Sequence, residues 1–133
     1  MKLSGITRIW LYGTFSLLFG TGLGWVLLNR SVLLKFHGAA AMVFLVVFGM
    51  LLPTHVKKGI AAKKNRASGS LLIGSLAALI VTGYFLYYAG SEGVRTFSSQ
   101  LHTFLGLASP VVLVAHVLYR YKRKIYRVIR ASI

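Results

Sequence analysis

The sequence predicts an all-α integral membrane protein, an up-and-down bundle of four transmembrane helices. Three observations carry that expectation. Of the 133 residues, 56% are hydrophobic and only 13% charged, with Glu92 the sole acidic side chain. The charge is gathered into a few short stretches, and the apolar runs between them are close to the roughly 20 residues that cross about 30 Å of hydrocarbon. Lysine and arginine are also unevenly shared between alternate connections. Backbone groups left unpaired in lipid are costly, so each span must be helical, and short connections make neighbouring helices antiparallel.

The first span is expected over about residues 9–28, with Trp10 and Trp25 near its two ends as interfacial anchors. Lys2, Arg8 and the apolar run imitate a secretory signal. The run is longer than a signal's apolar region, however, and no small-residue cleavage pattern precedes Asn29-Arg30, so it reads as a retained span. The second span covers about 32–52, where Pro53 is expected to bend or end the helix. The third covers about 70–89, with Tyr84, Tyr87 and Tyr88 near one end, and the fourth about 101–119. Together they make one domain, followed by a basic tail over 120–133 that extends the fourth helix, lies along lipid headgroups or docks a protein. Glycines are spread through all four spans; Gly20 and Gly24 have the spacing that lets helices approach closely.

Thirteen basic residues fall on the side of the termini and the middle loop, against Arg30, Lys35 and Arg95 on the other. The positive-inside rule therefore places both termini in the cytoplasm. Net charge is +15. In a soluble chain that would suggest nucleic acid; flanking apolar spans, it implies topogenesis and contact with anionic lipid instead. Cysteine is absent, which excludes disulfides, thiolate metal sites and covalently attached haem.

Ionisable groups at membrane depth are expensive and are candidates for function. The four histidines lie only in or beside the second and fourth spans: His37 and His55, His102 and His116. These two helices run in the same direction, so His37 and His102 fall toward the outer face and His55 and His116 toward the cytoplasmic face. Eighteen residues separate the first two, about five whole turns at 100° each, which puts them on one face. Fourteen separate the second two, about 40° short of four turns. Two stripes of paired imidazoles suit two b haems, because porphyrin iron offers two axial positions that imidazole fills well. Arg30, Lys35 and Arg95 outside, and Lys57, Lys58 and Arg120 inside, stand where propionates would emerge.

The four histidines and their topology resemble the haem core of the cytochrome b subunits of quinol–cytochrome c oxidoreductases. They also resemble the small bacterial di-haem membrane cytochromes of the b(561) type. The fourteen-residue spacing matches the cytochrome b pattern. The eighteen-residue spacing departs from it by four residues, about 6 Å of rise, so the inner pair requires a tilt or a bend. The resemblance implies His37/His102 as ligands of an outer haem and His55/His116 of an inner one, in a bacterial-type cytoplasmic membrane. It further implies electron transfer across that membrane, with a quinone and a periplasmic redox protein such as a cytochrome as exchange partners, alone or within a larger redox complex. No quinone-site motif accompanies the histidines. Two other readings stay open: a cofactor-free accessory subunit of a larger membrane complex, and a bacteriochlorophyll-binding subunit, which a single imidazole could ligate. A cation exchanger is disfavoured, because Glu92 falls in an outer loop rather than within a span.

Overall fold

A computed structural model describes residues 4–61 and 66–131, with residue 66 and residues 120–131 described by their backbone alone. Every regular element among them is helical: α1 (Gly5–Leu28), α2 (Ser31–Leu51), a π-turn (Leu52–Val56), α3 (Lys57–Ala61), α4 (Arg66–Tyr88) and α5 (Glu92–Ala131). Four stretches are long and apolar enough to cross a membrane: Gly5–Leu28, Ser31–Ala61, Ala67–Tyr88 and Glu92–Tyr119. The expected spans are thus all helical, and each runs past an end expected from hydropathy; the third begins at Arg66 rather than about residue 70 and stops at Tyr88. Lys2, Lys63 and Lys64 lie outside the described residues. The chain divides into two compact units, Met1–Ala61 and Ala62–Ile133.

In the first unit α1 packs against α2. Helix α1 starts four residues before the apolar run because Ser4 caps it, its hydroxyl accepting from the Thr7 N–H at 3.1 Å. It stops at Asn29, whose left-handed backbone (φ 48°) lets its N–H reach back to the Trp25 carbonyl at 2.9 Å. That tight turn sends α2 back along α1. Thr14 and Thr21 of α1 are buried, as are Ala40, Phe44, Phe48 and Leu51 of α2. The Phe44 and Phe48 rings are stacked at 6.0 Å. Gly24 lets Leu33 in, because a Cβ there would stand 3.1 Å from the leucine Cδ1.

Pro53 neither ends nor breaks the second span. Proline has no N–H to give the carbonyl one turn back, which is that of Gly49. The Leu52 N–H bonds that carbonyl instead, and the chain widens into a π-turn in which the Lys57 N–H bonds the Leu52 carbonyl. Helical hydrogen bonding resumes through Ala61.

In the second unit α4 packs against α5. A short connection joins them: the Ala89 N–H closes α4 on the Phe85 carbonyl at 3.0 Å, and the Arg95 N–H opens α5 on Ser91 at 3.1 Å. Glu92 sits in the first turn of α5, where its charge suits the helix dipole. Pro110 lies inside α5 and withdraws the N–H due to Gly106. The Ser109 hydroxyl takes over, donating to the Gly106 carbonyl at 2.7 Å. The helix therefore continues unbroken to Ala131, and the basic tail as far as that residue is part of it.

Large apolar side chains are exposed throughout, Ile9 at 73% and Met42 at 68% among them. Such a surface is stable against lipid tails rather than water.

Candidate histidine sites

Each unit presents a histidine to a hydroxyl-glycine pair on its companion helix. In the first unit His37, on the second turn of α2, places Nδ1 3.0 Å from the Thr21 hydroxyl of α1. The adjoining Gly22 gives the ring its room: a Cβ there would lie 3.3 Å from His37 Cε1 and 3.6 Å from Nδ1. In the second unit His102 of α5 places Nδ1 3.0 Å from the Thr82 hydroxyl of α4. Gly83 is its neighbour, with a Cβ position 3.4 Å from His102 Cε1 and 3.8 Å from Nδ1. Corresponding distances in the two arrangements differ by about 0.2 Å at most, although they use different helices and different loop lengths.

The second unit contains a further copy of the arrangement. His116 Nδ1 lies 3.2 Å from the Ser68 hydroxyl, and the Cβ position of Gly69 is 3.7 Å from His116 Cε1. Ser68 and Thr82 are fourteen residues apart on α4, as His102 and His116 are on α5. Antiparallel helices in fixed register match equal intervals, so one alignment of α4 with α5 satisfies both contacts.

His55 is built differently. It belongs to the π-turn, and its Nδ1 is buried. The expectation that His37 and His55 share a face assumed a constant 100° per residue. A π-turn absorbs one extra residue, so the phase at His55 is displaced by on the order of one residue's rotation. Ser4-Gly5 stands seventeen residues before Thr21-Gly22, close to the eighteen between the histidines. Ser4 is nevertheless occupied in capping α1, and the Cβ position of Gly5 has nothing within 4 Å.

Arg30 and Arg95 follow the same repeat. Arg30 is the N-cap residue just before α2, seven before His37, and Arg95 is in the first turns of α5, seven before His102. Seven residues advance a helix by about 20° less than two turns, so each arginine lies at the register of its histidine's face, roughly 10 Å along the axis. Lys35 lies between Arg30 and His37 on α2. Lys57 and Lys58 open α3, and Arg120 follows the apolar part of α5.

Among the described residues no group of three or more histidine, cysteine, aspartate or glutamate side chains converges as a metal cage would. What the donor set offers is single imidazoles, each anchored through Nδ1 or carried on a π-turn. The threonine and serine partners were not evident in the sequence, although the matched fourteen-residue intervals and the repeated Arg-to-His interval of seven were there to be read. No family model matches the chain, and neither a curated protein nor a solved structure matches it.

Proposed function

We propose that this protein is a di-haem b-type membrane cytochrome that carries electrons across the bilayer. The observation that supports this best is the recurrence, in two separate helical hairpins, of an imidazole held through Nδ1 beside a glycine. A histidine serving only as an interfacial side chain has no need of an identical partner in each hairpin. The residues fit haem in two respects. An imidazole anchored through Nδ1, as at His37, His102 and His116, would present Nε2 to iron, and the chain has no cysteine, nor, among the described residues, a carboxylate cage to compete.

In this reading the two hairpins associate as an up-and-down bundle with both termini in the cytoplasm, the orientation that the basic residues favour. His37 and His102 hold the outer haem, and His55 and His116 the inner. Arg30, Lys35 and Arg95 neutralise the outer propionates, and Lys57, Lys58 and Arg120 the inner ones. Bound haem supplies a one-electron couple. The protein's own part would be to hold the iron through imidazole nitrogen, exclude water with apolar helices and keep the imidazole protons in place. A quinone and a periplasmic redox protein are the proposed exchange partners.

Reduced-minus-oxidised absorption spectra of the purified protein test the proposal. A b-type α band with close to two haems per chain is expected. A colourless preparation would refute it and favour an accessory subunit; a far-red band would favour bacteriochlorophyll.

A further inference from the structure

We propose that Thr21 and Thr82 are positioning residues that lock His37 and His102 as the Nδ1–H tautomer, so that Nε2 is the unprotonated nitrogen, the form in which an imidazole would ligate an incoming metal centre. The inference deepens the haem reading and takes its last clause from it, but the tautomer rests on proton counting alone. A threonine hydroxyl owns one proton. In Thr21 it is spent on the backbone, for the hydroxyl oxygen is 2.7 Å from the Leu17 carbonyl and 3.1 Å from that of Leu18. Two oxygens at 2.7 Å attract each other only with a proton between them, and a carbonyl has none to give. The same hydroxyl is 3.0 Å from His37 Nδ1, so in that contact it is the acceptor and the ring nitrogen carries the hydrogen.

Thr82 repeats the arrangement. Its hydroxyl is 2.7 Å from the Ala78 carbonyl and 3.2 Å from that of Leu79, and 3.0 Å from His102 Nδ1. Both threonines are buried, at 8% and 5% exposure, so water does not compete for the hydroxyl. A neutral imidazole carries one ring proton; with Nδ1 protonated, Nε2 is unprotonated. Back-bonding to the preceding turn is routine for threonine in a helix. Here it also removes the one proton that could have satisfied Nδ1 in the opposite tautomer. Gly22 and Gly83 complete the device by letting each ring come close enough to its threonine.

The test uses the full-length protein labelled with 15N-histidine, alongside T21V and T82V, which keep the side-chain shape but lose the hydroxyl, and T21S and T82S, which keep it. Ring 15N shifts are read before haem is added, and haem content and outer-haem midpoint potential afterwards. The wild-type His37 and His102 signals are expected in the Nδ1–H form. Each valine variant should mix the tautomers of its own histidine, weaken haem retention at the outer site by about 10- to 100-fold and raise that site's potential; the serine variants should restore all three. Wild-type rings protonated at Nε2, or valine variants with unchanged shifts and unchanged haem retention, would overturn the proposal. A preparation that takes up no haem but carries Nδ1–H rings would sink the cytochrome reading and leave the threonine lock standing.

Discussion

Replacing Ser109 by alanine should unsettle the fourth span through one carbonyl. Pro110 deprives Gly106 of its ordinary helical donor, and the Ser109 hydroxyl at 2.7 Å stands in for it. Without that hydroxyl the Gly106 carbonyl loses its side-chain donor, and Pro110 has no N–H to replace it, in a low-dielectric setting. An unsatisfied buried acceptor costs about 1–3 kcal/mol in water-soluble proteins, while measured side-chain hydrogen bonds in membrane helices average about 0.6 kcal/mol, because the unfolded reference also finds partners. Gly106 has no other donor one turn on, so the expected loss for S109A is between those values, about 1 kcal/mol. The background decides the matter. In P110A the residue at 110 regains an N–H for Gly106, and S109A should then cost only a few tenths of a kcal/mol. Reversible unfolding in mixed micelles, followed by helical circular dichroism for all four sequences, reads the coupling as a double-mutant cycle. An equal cost in both backgrounds would refute the substitution of hydroxyl for amide.

Three further outcomes follow from the geometry. His102→Ala should abolish the outer haem and leave the inner one, halving the haem-to-protein ratio; loss of the inner band alone would contradict the pairing of His102 with His37. Gly83→Val places methyl groups beyond a Cβ that would already lie 3.4 Å from His102 Cε1, so the ring must leave Thr82, and haem content should fall by half while Gly74→Val, with nothing within 4 Å of its Cβ position, retains it. Asn29 holds a left-handed backbone, φ 48°, so Asn29→Ala should destabilise the first hairpin by about 1 kcal/mol and Asn29→Gly by much less; equal losses on the same unfolding assay would show that the turn is not under that constraint.

The helices were legible because twenty apolar residues in a row admit few other structures. Their ends were less so, since hydropathy locates lipid rather than hydrogen bonds. Ser4 with the Thr7 N–H starts α1 within a polar stretch, and the cap alone marks the place. At Pro53 the expectation of a stop gave too much weight to the missing N–H. The Leu52 N–H bonds Gly49, and the wider turn carries the helix on. The same turn explains why the phase relation between His37 and His55 could not be counted at a fixed angle. The histidines were found by their cost at membrane depth, but Thr21, Ser68 and Thr82 were not. A threonine or serine in a span ordinarily bonds its own helix, and only the antiparallel register reveals that these face an imidazole. Reading intervals in pairs, fourteen on α4 against fourteen on α5, would have exposed two of the three.

The length of α5 carries a geometric obligation of its own. Forty residues make a rod of about 60 Å at 1.5 Å per residue, twice the thickness of the oily layer. Even inclined at about 40°, the upper end of what membrane helices adopt, only some 40 Å of such a rod fits between the two water boundaries. Roughly a third of it must protrude. The chain therefore owns a stiff mast beyond the lipid, and because no proline or glycine interrupts it after Pro110, any push or tether at its tip is passed mechanically to the turn that bears His116.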